Sequence, residues 1–371
     1  MKVCIVCGQI AGFGRIGGFG TMARKLAEAL SAAGVETSVC VLRTAQLKAR
    51  QAIGAIPVIA PHPAAYFFGS RVFRDIQADI FHSQEPTLGS YRMRLAHPEA
   101  KHVVTCIDPR DGDDWAEEFR RFSLKKKVLY PLIRGFEDAP AVHRAVREAD
   151  QVVCQTKFIM PKVERMYQPE TRPLFIGNAT NFPAGAPVKA ARPTVCFLAR
   201  LDKRKRPELY FELARRYPNV NFICVGKAHD AAWDRELRAR YAGLANLQML
   251  GYVDPFQSRV IEEVLEKSWI LVNTASREGL PAAFVEAASH RCAILATVDP
   301  DDFASQFGYF AETPDALAPG LEYLLEDDRW RECGERAHAY ALEHFETSRV
   351  VQKHLELYEA LLGSPSRDRG A

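Results

Sequence analysis

WILVNTASREGLPAAFVEAASHRCAILA, residues Trp269 to Ala296, is the stretch whose reading decides the fold. It divides into a buried strand over Trp269–Thr274, a short loop, a helix opening at Pro281 and a second strand from Cys292. The loop leaves the carboxyl end of a strand and brings Gly279 and Pro281 to a helix start. Unpaired backbone N–H groups and the positive end of the helix dipole favour an anion there. Two carboxylates, Glu278 and Glu286, bracket that start. The step from Pro281 to Glu286 advances roughly 7.5 Å along a helix, enough to set the carboxylates on either side of a bound diphosphate. A plainer reading stands beside this one. Acidic residues near a helix start complement its dipole, Glu286 reads equally as a solvated helix position, and strand-loop-helix joints recur throughout α/β proteins.

With 371 residues the chain has room for two domains, each with its own core. Its 47% hydrophobic and 26% charged residues are ordinary for a globular protein. No apolar run approaches the ~20 residues that cross a bilayer, and MKVCIVCGQI reads as a first strand rather than a signal peptide. A cytoplasmic protein is expected. The nine cysteines are odd in number and scattered, and most fall in apolar runs (Cys4, Cys40, Cys154, Cys196, Cys224, Cys292) where reduced thiols pack as small hydrophobes. Cys4 and Cys7 have CxxC spacing but point to opposite faces of a strand. Charge is uneven: residues 1–180 carry 25 Lys and Arg against 18 Asp and Glu, a balance of +7, and the remainder 24 against 28, a balance of −4. A basic first half suggests an acidic or phosphate-bearing partner or a membrane surface, and is too weak to argue for nucleic acid.

Strands and helices alternate from the start. Strands are expected over Lys2–Cys7, Glu36–Leu42, Pro57–Ala60, Ile80–His82, His102–Cys106, Gln151–Cys154 and Leu174–Ile176. An amphipathic helix over Thr21–Ala33 and a proline-broken helical region over Asp113–Ala149 lie among them. The pattern is that of a doubly wound parallel sheet. Residues 181–193, NFPAGAPVKAARP, read as a linker. A second alternation follows from Thr194 to the helices Pro314–Leu325 and Asp328–His344, and a last helix spans about Thr347–Leu362. The expected division is therefore 1–180, a linker at 181–193, and 194–346.

Two further segments carry candidate chemistry. GQIAGFGRIGGFG, after the first strand, contains GxGxxG at Gly12, Gly14 and Gly17. The loop is too long for a dinucleotide turn, and the second strand closes on Leu42 and Arg43 where an acid is needed. Gly17 and Gly18, just before the helix, remain candidates for backbone approaching phosphate or sugar, against a permissive surface loop. TVCFLARLDKRKRPELYFELA places Arg200 at the end of a strand and Lys205 before the next helix. Both would face the crevice at the carboxyl ends of the strands, where two cations can neutralise a diphosphate; the alternative is a solvated run over Lys203–Arg206.

Arg200-Leu201-x-x-x-Lys205, Val225-Gly226, Leu250-Gly251-Tyr252-Val253 and Glu278-x7-Glu286 together resemble the retaining nucleotide-sugar glycosyltransferases of family 4 with the GT-B architecture. Gly17-Gly18, Asp79-Ile80-Phe81-His82, Ala149-Asp150 and Gly177-Asn178 match in the same order, so the resemblance covers nearly the whole chain. It departs at Ile107, where a histidine usually precedes Asp108, and at Arg291 and Ala293, where glycine and proline are usual. The resemblance implies two Rossmann-like α/β domains facing a cleft, with the last helix packing back on the first, acceptor-side domain. It implies that Glu278 binds the transferred sugar, Glu286 the ribose, Arg200 and Lys205 the diphosphate, and Gly279 and Leu280 offer backbone donors. Gly18, with Gly17, would approach the diphosphate, backbone near Tyr252 and Val253 would meet the base, and His82 would lie near the reacting sugar. The expected partners are a nucleotide-sugar donor and a glycan, glycolipid or small-molecule acceptor.

Neither metal nor cofactor is implied, and the DxD runs at Asp111–Asp113 and Asp299–Asp301 are read as coincidental. FRRFSLKKKVLYPLIRGF, residues 119–136, reads either as an interfacial segment on an anionic membrane or as an amphipathic core helix with a solvated basic face. The rival functions are a nucleotide-sugar epimerase on the same architecture and a sugar-nucleotide-binding relative without turnover.

Overall fold

A computed structural model describes residues 1–13, 17–68, 71–121 and 124–364. The chain forms two compact units: Met1–Ala179 together with the helix Thr347–Gly363, and Thr180–Glu346.

The first unit is built on eight strands. They are β1 (Lys2–Cys7), β2 (Glu36–Val41), β3 (Arg50–Ile53), β4 (Ile56–Ile59), β5 (Ile80–Ser83), β6 (Lys101–Cys106), β7 (Gln151–Cys154) and β8 (Leu174–Phe175). Their order across the sheet is β3-β4-β2-β1-β5-β6-β7-β8. All pairs are parallel except β3 with β4, an antiparallel hairpin that departs from the purely parallel sheet expected. Gly54 turns it with φ 56°, a conformation open to glycine. The strand RQAI gives no sequence signal because it is a short, half-exposed edge whose first residue is charged. β1 is buried from Val3 to Cys7, as a strand covered on both faces must be. Met22, Ala23, Leu26, Ala27 and Leu30 of the helix Gly18–Ala32 cover one of those faces, and Val350, Val351 and Tyr358 of the C-terminal helix enter the same core.

The second unit has six parallel strands: β9 (Thr194–Leu198), β10 (Asn221–Val225), β11 (Leu247–Gly251), β12 (Ile270–Asn273), β13 (Ala293–Ala296) and β14 (Gly308–Phe310). Their order is β11-β10-β9-β12-β13-β14. β14 and the preceding helix Phe303–Phe307 were not foreseen; a three-residue strand is too short to show a period. Trp269 stacks on buried Trp330 at 4.5 Å between ring centres, and the buried Tyr210 hydroxyl donates to the carbonyls of Val195 and Ile223.

Residues 181–193 lie along the second unit as a strap. Lys189 Nζ donates to the carbonyls of Ser268 (2.5 Å), His290 (2.6 Å) and Leu265 (3.2 Å), and Trp269 Nε1 donates to the Ala190 carbonyl at 2.8 Å. Composition alone hid this, because one lysine makes the anchor.

Both sheets reverse their strand order once, between β1 and β5 in the first unit and between β9 and β12 in the second. At such a point the crossovers diverge to opposite faces and leave a crevice outside the carboxyl ends of the strands. Gly226, just past β10, shows how tightly the second crevice is bordered. Its φ is 146°, and a Cβ built on it would stand 1.9 Å from the Ala199 carbonyl oxygen at the end of β9. We expect Gly226→Ala to destabilise the protein by about 2–4 kcal/mol through backbone strain and overpacking. Gly18→Ala, whose Cβ would meet nothing within 4 Å, should change it by less than ~1 kcal/mol. Urea midpoints of the two variants check this.

Candidate active site

In the second unit the loops after β9 and β12 are joined side by side. Arg206 opens the helix Pro207–Arg216 in the left-handed conformation, φ 45°. That turn aims its guanidinium at the carbonyls of Thr274 (2.7 Å) and Ala275 (3.0 Å) and at Thr297 Oγ1 (2.7 Å). Thr274 Oγ1 returns a bond to the Lys205 carbonyl at 2.6 Å, and Ser276 N–H donates to the Arg204 carbonyl at 2.9 Å. Asp202 organises the rest of the first loop, accepting from Arg200 Nε and Nη2 (2.9 and 2.7 Å) and from the N–H groups of Arg204 and Lys205 (3.1 and 3.0 Å). Burial pushes the Asp202 carboxyl up, but Arg200 and these N–H groups outweigh it and hold it below the usual carboxylate value.

Lys205 Nζ pairs directly with Glu278 Oε1, and Arg204 Nη1 lies 3.6 Å from Glu278 Oε2. The Lys205 and Glu278 side chains are only 15% and 11% exposed. The basic run is therefore not a solvated loop: Arg204, Lys205 and Arg206 all bind across to the β12 loop, and only Lys203 is exposed. Arg206 is a structural residue that sequence reasoning did not single out, since a charge run gives no sign of which member turns inward.

Beyond Glu278, Gly279 and Leu280 are buried, and Pro281 takes an extended conformation (φ −60°, ψ 125°) before the helix Ala282–Ser289. The first turn of that helix leaves backbone N–H groups without intrahelical partners. Glu286 sits half-buried in its second turn. The helix ends at Arg291, which takes φ 58° where a glycine is usual. The turn closes all the same, with Arg291 and Cys292 N–H donating to Ala288 and Ala287. Glu335 holds the guanidinium at 2.7 Å, and Gly334 has no Cβ, which would fall 2.3 Å from the Arg291 carbonyl oxygen. Arg200, Lys205, Glu278, Gly279 and Leu280 thus gather at the strand reversal. Tyr252 and Val253 follow β11 at the sheet edge, two strands from β9, with Tyr252 exposed.

In the first unit, Gly17 caps the helix that begins at Gly18; Gly14 lies outside the described residues. Gly18 faces open space, whereas a Cβ on Gly17 would come within 2.9 Å of Gln9 Oε1. A cavity of 480 Å³ opens at the reversal between β1 and β5, lined by Gly8, Glu85, Asp108, Arg110 and Trp115 among others. The candidate DxD aspartates act as caps: Asp111 Oδ1 accepts from Asp114 N–H (3.1 Å) and Asp299 Oδ1 from Ala304 N–H (2.7 Å). The described side chains of the region 119–136 do not form a core helix face. Val128, Leu129 and Leu132 of the helix Leu124–Glu137 are all exposed, because the helix turns Tyr130 instead toward Trp115 and Phe119. Among the described residues no helix is long and apolar enough to cross a membrane.

His82 does not present a nitrogen to a ligand. It is wholly buried, with Nδ1 2.6 Å from the Tyr358 hydroxyl and Nε2 2.7 Å from Thr105 Oγ1. It ties β5 to the C-terminal helix as a buttress. Burial, with the neighbouring His354, holds its pKa well below the ordinary value, and burial lowers His354 to about 4. Both rings are neutral in the fold and charge more readily once unfolded. Their contribution to stability is therefore present above the unfolded pKa of about 6.5 and lost as pH falls toward the folded values. We expect urea unfolding to show a loss on the order of 2–3 kcal/mol between pH 7.5 and 4.5 from His354 alone, and a shallower pH dependence in His354→Gln.

Two family models account for the chain between them. Residues 17–179 match the glycosyl transferase 4-like domain and residues 180–341 match glycosyl transferases group 1. The chain is a glycosyltransferase of the GT-B type. No curated protein matches it in sequence. Among solved structures it is similar to sucrose-phosphate synthase from Thermosynechococcus elongatus, with a TM-score of 0.73 at 15% identity over 98% of this chain and 100% of that one. It is similar to Anabaena HepE in complex with UDP-glucose (0.70, 15%, 97% and 100%). It is also similar to the catalytic domain of starch synthase IV from Arabidopsis thaliana bound to ADP and acarbose (0.66, 13%, 98% and 99%).

Proposed function

We propose that this glycosyltransferase moves a hexose-type sugar from a nucleotide diphosphate sugar to an acceptor hydroxyl with retention of configuration. It would act as a family 4 enzyme in glycan, lipopolysaccharide or exopolysaccharide assembly. The observation that carries the reading is the largely buried Lys205–Glu278 pair at the strand reversal, beside the start of the helix Ala282–Ser289. A cation, a carboxylate and free backbone donors there match the diphosphate, the hydroxyls and the phosphate oxygens of such a donor. The UDP-glucose held by the similar HepE supports that donor class.

In this reading Arg200 and Lys205 neutralise the diphosphate and the N–H groups of Gly279 and Leu280 donate to it, while Gly17 and Gly18 stand at a helix start of the kind that suits an anion. Glu278 accepts from hydroxyls of the transferred sugar, Glu286 from the ribose, and backbone near Tyr252 and Val253 meets the base. The bond from the anomeric carbon to the diphosphate breaks with its electron pair on the phosphate oxygen. The acceptor oxygen bonds to that carbon on the same face, and the acceptor proton goes to the leaving diphosphate. Donor binding draws Lys205 from Glu278 to the phosphates, which frees the carboxylate for the sugar as positive charge develops on its ring.

Two experiments test this with a panel of nucleotide sugars. Glu278→Gln is expected to lower kcat by roughly a hundredfold, the ~2.7 kcal/mol scale of one charge-stabilising contact. Glu286→Gln is expected to raise the donor KM about tenfold to a hundredfold with kcat nearly kept. Equal or reversed patterns would reassign the two glutamates, and isomerised donor without nucleotide diphosphate release would identify an epimerase. Because cationic side chains carry the phosphate charge, turnover is expected to survive EDTA; loss restored by Mg²⁺ or Mn²⁺ would refute that charge assignment.

A further inference from the structure

The cavity of the first unit lies at the other strand reversal, and its lining has the opposite sign. The lining of this 480 Å³ space includes four acidic residues, Glu85, Asp108, Glu137 and Asp138, and, among the described residues, one basic residue, Arg110. Arg110 is already committed: its Nη1 lies 2.9 Å from Glu137, and its guanidinium carbon sits 5.1 Å from the centre of the Trp115 ring. Asp138 is held by His143 Nε2 at 2.6 Å. Glu85 differs from these. It follows β5 directly, and one of its oxygens accepts from Gly8 N–H, just past β1, at 2.9 Å. The other oxygen has no protein partner among the described residues. Backbone at the strand reversal therefore fixes the carboxyl group and leaves one oxygen for a ligand. Burial, more than the neighbouring Glu137, raises its pKa, against the Gly8 bond and Arg110, which lower it. Trp115, Tyr66 and Phe136 supply aromatic walls.

We propose that the carbohydrate this cavity takes, on the acceptor side, carries no phosphate or carboxylate, with Glu85 accepting a hydrogen bond from one of its hydroxyls. The proposal rests on the glycosyltransferase reading above. The volume falls in the range of about 300–1,000 Å³ usual for small-ligand sites. Aromatic faces suit the C–H side of a sugar ring, while carboxylates suit its hydroxyls. A phosphate group would meet several carboxylates and only a cation that is already paired.

The probes are methyl hexopyranosides and the matching hexose 6-phosphates, titrated into the full chain by saturation-transfer NMR, with nucleoside diphosphates titrated in parallel. At least one methyl hexoside is expected to bind at least about tenfold more tightly than its 6-phosphate. Glu85→Gln should weaken that hexoside about tenfold and leave nucleoside diphosphate binding unchanged. Glutamine keeps an oxygen for Gly8 N–H, so the fold should persist. Phe136→Ala, at a side chain 44% exposed, should weaken the hexoside without any cost to folding. Equal or tighter binding of the 6-phosphates would overturn the inference, as would Glu85→Gln binding like the wild type. So would nucleoside diphosphate binding with no hexoside binding, which would leave the donor reading standing. Binding of neither class would remove the transferase reading and this inference together.

Discussion

Every candidate binding feature in this protein depends on the single reversal of strand order in each sheet. A parallel strand pair needs a crossover, and right-handed crossovers running outward in opposite directions from a central strand pair cover opposite faces of the sheet. Only at the reversal do two neighbouring strands end with their following segments diverging, so backbone and side chains can face an open space there. Between β9 and β12 that space receives Arg200 to Arg206 and Ser276 to Leu280; between β1 and β5 it receives Gly8 and Glu85.

Divergence alone would leave long, loose loops, and the charge distribution prevents this in the second unit. Arg206 and Thr274 tie the two loops together with bonds that leave neither side chain available to a ligand. The Arg200–Asp202 and Lys205–Glu278 pairs then hold the remaining charges in place without neutralising them permanently. A mostly buried cation would be costly alone, and so would a mostly buried carboxylate. Paired, each is stabilised, and in the function proposed above a ligand replaces its partner. An anionic, polyhydroxylated ligand can satisfy both at once, so exchange of partners need leave no charge unpaired. A ligand with only one of these features would leave the other charge exposed to the cost of burial.

The sequence made the alternation of strands and helices legible because β1, β9, β10 and β12 are short apolar runs set between helical patterns, and because Gly, Pro and charged residues punctuate them. What it hid falls into three physical kinds. Short or half-exposed strands, β3 and β14, bury too little to leave a pattern. Residues whose role is set by long-range contact, Lys189 in the strap and Arg206 in the charge run, look like surface cations until their carbonyl partners are known. Residues whose type suits either of two roles cannot be sorted by type. His82 in β5 is one such case, and only the structure shows it buried between Thr105 and Tyr358. Arg291 belongs to the same lesson. Its type argues against the turn, yet the turn forms, because Glu335 and the missing Cβ of Gly334 accommodate an arginine in a left-handed conformation.

Net charge and the lining of the cavity differ in sign for a related reason. The first 180 residues carry a balance of +7, which taken whole points to a phosphate-bearing partner. Much of that charge sits on exposed helix faces or in local pairs, such as Arg94 with Glu148 and Arg144 with the same carboxylate. There solvent and salt screen it within about 10 Å. The cavity is walled by Tyr66, Trp115 and other buried groups that screen poorly, so its few carboxylates decide the local potential despite the surplus of cations around the unit. A charge sum over a domain describes its far field. The local potential is set by the handful of groups inside the low-dielectric wall, and here those are mostly acidic in the first unit and paired ions in the second.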